Sequence, residues 1–268
     1  PYANYKVMEL AKDHVVVTLD GQGAAEQLGG YHYFYGYYFK DLLKQFALIK
    51  LMREMAHYLV KTKSSYGLQT FLYYLLPENW KTSLRVGQKG YLDKSFISEY
   101  SSTNTIAGKL YGAGSLTEAL LYHFEYKLEH LLKWEDRNSM FFSLESRVPY
   151  LDHRLVEKTL SMQPDQIIHN GWTKYILREA MKGTVPEKIR RRKDKIGFMT
   201  PEDQWFRTRD FEQLIRDLLS SGSLKQRGIV DPDIAKDHYS KHLKGKSNIS
   251  KEIWKWINLE IWFQKFID

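Results

Sequence analysis
The segment Val15 to Tyr31 reads VVVTLDGQGAAEQLGGY, a β-branched run that breaks into Asp-Gly-Gln-Gly and then, past a stretch of small residues, into Gly29-Gly30. Val15, Val16, Val17 and Thr18 are strong strand formers, and an apolar run without alternation predicts a parallel strand buried on both faces. Open α/β sheets bind ligands at the carboxyl ends of their strands, where glycines let backbone N–H groups approach an anion with no Cβ in the way. Gly21 and Gly23 stand at that place. Taken alone, a short Gly-x-Gly is an ordinary tight turn.

Asp136 to His153, DRNSMFFSLESRVPYLDH, spaces Asp136, Arg137, Glu145, Arg147 and Asp152 through apolar neighbours. Burying such charges is costly unless salt bridges or a ligand satisfy them, so they are expected as the wall of a substrate site or as a buried ion-pair lattice. Lys188 to Pro201, KIRRRKDKIGFMTP, is a cationic run that stops at Ile196-Gly197-Phe198. A lysine beside such a turn can point into a cleft, although by itself the run is a solvated basic face.

In order and spacing, LDGQGAAEQLGGY, DRNSM with SLESRVPYLDHRLVE, KYILREA, and RRKDKIGF with its following proline resemble the synthetase domain of glutamine-dependent asparagine synthetases. The resemblance runs from Tyr2 to Phe206, and the remaining residues look like the family's helical tail. It implies a fold that is mainly α with a residual α/β part, the C-terminal portion of a doubly wound domain like that of the adenine-nucleotide α-hydrolases. Residues 1–35 would end the nucleotide-binding sheet, and residues 36–268 would form the helical part. The implied activity is that of a ligase: an aspartate carboxylate attacks the α-phosphorus of ATP, pyrophosphate leaves, and ammonia displaces AMP from β-aspartyl-AMP. ATP and magnesium are the implied cofactors. Both steps develop negative charge, so fixed donors and cations should stabilise them.

Residue by residue, Asp20, Gly21 and Gly23 match the family's nucleotide-contacting turn. Gln22 matches a position near the acyl-adenylate that is glutamate in many members and glutamine in others; a neutral amide can hold the adenylate or orient ammonia but cannot act as a base. Lys195 matches the lysine thought to stabilise the pentavalent phosphorus and the departing pyrophosphate, since an ammonium can follow moving charge. Lys193 is the rival, and Gly197, two positions after Lys195, favours Lys195.

Three departures bound the resemblance. No Ser-Gly-Gly-x-Asp-Ser loop, the family's pyrophosphate cradle, occurs; Gly112-Ala113-Gly114-Ser115 is the nearest stand-in, and Ser115 with Glu118 reads instead as a helix capping box. The chain is therefore expected to begin inside a domain. It has no cysteine, so the glutaminase step, which needs a thiolate nucleophile, belongs to an upstream domain outside this chain. Ala25 stands where the family usually has a magnesium-binding aspartate, so no metal ligand is assigned, and Glu26 is a weak substitute.

Net charge is +8, which invites a nucleic-acid partner, but acidic residues are interspersed outside Lys188 to Lys195 and no reader motif is present. A site for ATP needs a positive field in any case. No apolar stretch is long enough for a bilayer, no signal peptide precedes Pro1, and the absence of cysteine makes the cytoplasm the expected compartment. Helices are expected over Asp41–Thr62, with Leu42, Leu43, Phe46, Ile49, Met52 and Leu59 in the core, and over Ser115–Trp134. Further starts are expected at Asp152, Thr173, Thr200-Pro201 and Asp231-Pro232, and a helix packed on both sides over Ser250–Phe266. His32, without a second ligand at metal spacing, reads as a packing residue. Three functions stay open: the synthetase part of an asparagine synthetase, inactive in isolation; a related amide- or lactam-forming synthetase with another carboxylate substrate; and a degenerate, non-catalytic scaffold. The Val15–Leu19 strand would expose an edge that invites homo-oligomers.

Overall fold
A computed structural model of the chain describes residues 1–268 except Gln88, Ser102, Lys195, Ile196, Phe198 and Met199. In chain order, α1 (Tyr2–Ala11), β1 (Val17–Leu19), α2 (Ala24–Gln27), α3 (Phe34–Lys44), α4 (Leu48–Thr62) and α5 (Tyr66–Leu75) precede α6 (Glu78–Gly87) and α7 (Lys94–Tyr100). Then follow α8 (Thr105–Gly112), α9 (Leu116–Tyr126), α10 (Leu128–Phe141), β2 (Glu145–Arg147), a 3-10 turn (Pro149–Leu151), α11 (His153–Leu160), α12 (Pro164–Ile167), α13 (Tyr175–Ala180) and α14 (Glu187–Arg190). The chain closes with α15 (Glu202–Trp205), α16 (Arg209–Ser220), α17 (Gly222–Gln226), α18 (Pro232–Leu243) and α19 (Ser250–Phe266). Two compact units result: Pro1–Glu78 with Thr105–Phe198, and Asn79–Asn104 with Met199–Asp268. The fold is mainly helical with one small parallel sheet, as the sequence led us to expect.

In the first unit β1 pairs in parallel with β2, Val17 opposite Glu145 and Leu19 opposite Arg147. The parallel pairing was foreseeable, but burial on both faces was not achieved: Val16 is 76% and Leu19 73% exposed. Among the described residues β1 has a strand on one side only, and no strand pairs with its other edge. The unit's core gathers instead on α3, whose Phe34, Tyr35, Tyr37, Tyr38 and Phe39 are all buried with Leu51, Tyr58, Phe71 and Tyr74. Tyrosine suits this interior because its hydroxyl can reach a partner while its ring packs. Tyr35 donates to the Gly171 carbonyl at 2.9 Å and Tyr37 to the Leu110 carbonyl at 2.7 Å.

Two long helices expected from periodicity are each broken. Phe46 takes φ 55° between α3 and α4, so the chain turns there and α4 buries Leu51, Glu54 and Tyr58 while Phe46, Ile49, Met52 and Leu59 face out. Lys127 likewise interrupts the run from Ser115, separating α9 from α10. The expected caps fare better: Ser115 accepts from the Glu118 amide at 3.1 Å, Asp152 from Arg154 at 3.0 Å, and Asp231 from Asp233 and Ile234 at 3.0 and 3.1 Å.

The second unit has its own core of Phe206, Ile215, Leu219, Tyr239, Ile253, Trp256 and Ile257. Here α19 buries one face only, with Trp254, Ile261, Trp262 and Phe266 exposed, which corrects the expectation of a helix packed on both sides. Its buried Glu260 is held by Arg227 at 2.7 Å. Among the described residues no helix is long and apolar enough to cross a membrane.

Candidate active site
The two strands end side by side, with the Asp20 amide donating to the Arg147 carbonyl at 2.8 Å. Asp20 to Gly23 thus leave β1 next to the 3-10 turn that leaves β2. Gly23 has φ 89°, and a Cβ there would overlap the Leu151 side chain, so the turn and its packing both demand glycine. Gln27 fastens the corner from behind: its amide donates to the Tyr150 carbonyl at 2.6 Å and accepts from the Thr159 hydroxyl. Gly21 is exposed with open space before it, and Gln22 is half-buried.

The Asp20 carboxylate is committed to the strands. It accepts from the Ser146 hydroxyl at 2.7 Å and from Thr18 at 3.2 Å. Ser146 also lies 3.4 Å from a carboxylate oxygen of buried Glu135, whose other oxygen accepts from Asn4 at 2.8 Å. Burial, and then the charge on Asp20, push the Glu135 pKa up. What the turn can offer a ligand is therefore its main chain and the Gln22 amide.

Behind the corner lies a cavity of about 440 Å³, whose wall includes Gly30, His32, Tyr150, Lys174, Arg178 and Lys193. Gly30 makes room for it: a Cβ there would lie 2.5 Å from Lys174 Cε and 2.9 Å from Ala25 Cα. Lys174 holds φ 52° at the start of α13, its amide bonded to the Leu28 carbonyl at 3.1 Å. Thr173, the expected cap, does not cap; its carbonyl accepts from Arg178 Nε at 2.8 Å. Burial lowers the Lys174 pKa, with Glu26 pulling it back up. Glu26 itself is buried and accepts from the Tyr31 hydroxyl. Arg190 and Arg192 also border the cavity, and among the described residues the one carboxylate in its wall, Asp194, is paired with Arg192 at 3.0 Å. Such a wall attracts anions.

Lys195 lies outside the described residues. Its rival, Lys193, lines the cavity, with its ammonium 5.9 Å from the centre of the Trp172 ring. Asp20, Gly21, Gln22 and Gly23 do not line it; they adjoin it through Tyr150 and Gln27. The buried ion-pair lattice is corrected outright. Asp136 and Arg137 are exposed, Glu145 and Arg147 pair at 2.7 Å in solvent, and Asp152 pairs with exposed Arg154 at 2.8 Å besides capping α11. Residues two apart on a strand share a face, so Glu145 and Arg147 satisfy each other locally. Ala25 is buried against Gly30 and has no donor atom, and Glu26 is buried with one carboxylate oxygen accepting from Tyr31. Among the described residues no group of three or more His, Asp or Glu could hold a metal ion. His32 packs edge-on to Tyr35 and Tyr58 while bordering the cavity. Sequence reasoning missed Lys174, Arg178 and Arg190; the signal available was the four-residue spacing of Lys174 and Arg178 within KYILREA, which sets both beside one opening.

The fold and site define a mainly helical domain in which a parallel strand pair presents a glycine turn beside a cationic cavity. The sequence matches the family described as Asparagine synthase over residues 1–264, and the chain belongs to that family. It is 28% identical over 277 residues to glutamine-hydrolyzing asparagine synthetase 1 of Bacillus subtilis, covering 96% of this chain and 42% of that protein. A second relative from Bacillus subtilis, glutamine-hydrolyzing asparagine synthetase 3, is 30% identical over 186 residues, covering 69% of this chain and 26% of that protein. The human glutamine-hydrolyzing asparagine synthetase is 26% identical over 238 residues, covering 75% of this chain and 42% of its own length. The chain thus spans less than half the length of these relatives. No solved structure matches it.

Proposed function
We propose that this chain is the synthetase portion of an asparagine synthetase: it takes part in converting aspartate to asparagine through β-aspartyl-AMP, with AMP and pyrophosphate released. Ammonia comes from a glutaminase domain outside this chain, and the setting is cytoplasmic. The observation that carries the reading is the cationic cavity beside the glycine turn, where Lys174, Arg178 and Lys193 converge next to Gly30. A leaving pyrophosphate accumulates negative charge, and fixed cations in a partly enclosed hollow stabilise it without reorganising at the moment of reaction. Asp20, Gly21 and Gly23 contact ATP through the turn, the Gln22 amide holds the adenylate or orients ammonia, and Lys195, or its rival Lys193, follows the departing pyrophosphate. The parallel strand pair with a glycine corner supports assignment to the doubly wound adenine-nucleotide α-hydrolases, with residues 1–35 as the end of the nucleotide-binding sheet.

Magnesium does not fit the protein groups of this site, because Ala25 has no donor atom and no group of three or more His, Asp or Glu among the described residues could hold the ion. Ala25 also favours a second reading, a degenerate copy acting as a scaffold. The deciding assay is aspartate-dependent exchange of labelled pyrophosphate into ATP, run on this chain and on the product of its complete reading frame. Exchange in the complete product alone is the expected result; exchange in neither favours the scaffold, and exchange only with another carboxylate moves the chain to a different amide-forming branch.

A further inference from the structure
We propose that Arg178 and Arg190 form a reciprocal clasp that positions the lysine-bearing segment after α14 against the cationic cavity. Arg178 Nη1 donates to the Arg190 carbonyl, and Arg190 Nη1 donates back to the Arg178 carbonyl at 3.1 Å. These carbonyls lie in the last turns of α13 and α14, where helix C=O groups lack amide partners further along the chain. Each guanidinium therefore finishes the other's helix.

Both arginines are anchored a second time. Arg178 Nε holds the Thr173 carbonyl at 2.8 Å, and its guanidinium sits 4.8 Å from the centre of the Trp172 ring. Arg190 forks onto Glu187 at 2.6 and 3.0 Å and reaches Glu179 at 3.2 Å, with a side chain only 8% exposed. A lysine cannot reproduce this, because one ammonium on a flexible stem does not span two fixed carbonyls as a planar fork does. The pair also forms a shared wall: both border the cavity with Lys193 and a smaller hollow of about 240 Å³ with Trp172 and Tyr175.

The consequence falls on the chain that leaves Arg190. Lys193 is three residues beyond the fixed carbonyl, so its Cα stays within about 10 Å of that anchor even when the chain is fully extended, and the clasp bounds where the side chain starts. Among the described residues Arg178 has no carboxylate partner, so its charge stays on the cavity wall beside Lys174 and Lys193. Positioning by Arg178 and attraction by the lysines are separable roles. The use of this segment for a departing pyrophosphate rests on the function proposed above.

The test uses the full chain, with Arg178→Lys, Arg190→Lys, the double variant and Glu187→Gln, which loosens Arg190 from outside the cavity. Amide hydrogen exchange over residues 191–194 and calorimetric binding of inorganic pyrophosphate are measured for each. Arg178→Lys keeps the charge, yet exchange should rise and pyrophosphate affinity fall by about tenfold; the double variant should lose no more than either single, because the clasp acts as one unit. Arg216→Lys, on an exposed pair with Glu212, should change neither. Unchanged exchange over 191–194 in Arg178→Lys and Glu187→Gln, or losses that simply add in the double variant, would overturn the clasp. A wild-type chain that binds no pyrophosphate would remove the cavity as the support for the functional reading while the exchange data still decide the clasp.

Discussion

Single residues set this site through space as much as through charge. Gly23→Ala should destabilise the fold by about 2 kcal/mol or more, combining left-handed backbone strain with overlap on Leu151, and a urea melt measures it. Gly30→Ala tests something different. Its new methyl would displace the flexible Lys174 stem and would also meet the Ala25 Cβ and backbone Cα below 3 Å, so stability should fall in the melt and pyrophosphate binding should weaken with it. Two buried carboxylates should respond oppositely to acid. Arg227 holds the Glu260 pKa down, so the stability it contributes is present above the ordinary carboxylate range and is lost as pH falls through its folded value. Glu135 is the reverse: burial and Asp20 raise its pKa, so the folded state binds the extra proton and stability falls as pH rises from the ordinary value to the raised one. Glu135→Gln, which keeps an acceptor and adds a donor toward Asp20, should flatten that part of the pH–stability curve, and melts across the acid range would reveal no change if the pair is unimportant.

Elements show where local signals suffice and where they fail. Cap residues are legible because the bond they make spans two or three residues, and Ser115→Ala should cost about 1 kcal/mol in a thermal melt. Helix continuity is less legible. Phe46 and Lys127 sit inside runs with good helical spacing, yet Phe46 turns left-handed and Lys127 leaves the helix to donate to the Tyr33 hydroxyl at 2.9 Å with the Tyr31 ring 4.5 Å away. Apolar spacing could not say which face of α4 would meet α3; the buried set, Leu51, Glu54 and Tyr58, includes a carboxylate that accepts from the Asn170 and Gly171 amides at 2.9 and 3.1 Å. The β1 edge carries exposed Val16 beside main chain that no strand pairs among the described residues, a template for pairing with another copy. Val16→Lys should therefore reduce concentration-dependent association in sedimentation; an identical profile would assign any association to another surface.

At the scale of the whole molecule, a net charge of +8 gains meaning from where the cations gather. Among the described residues around the cavity, cations outnumber the one paired carboxylate, so affinity for pyrophosphate should fall severalfold as salt rises from about 0.01 M to about 0.1 M, where the screening length drops from about 30 to about 10 Å. Salt-independent binding would mean that hydrogen bonds rather than the field hold the anion. The sequence by itself determined the family, the helical class, the parallel strand, the glycine turn and most of the caps, because each depends on residues close together in the chain or on motifs whose order survives divergence. Tertiary structure alone decided that the charges of β2 and of the turn after it lie in solvent, that Asp20 faces Ser146 and Glu135, and that Lys174, Arg178 and Arg190 join Lys193 around one hollow. Asp20 with Ser146, Gly30 with Lys174 and Gln27 with Tyr150 are contacts between residues more than a hundred positions apart, and no periodicity in the chain records which distant backbone will close against which side chain.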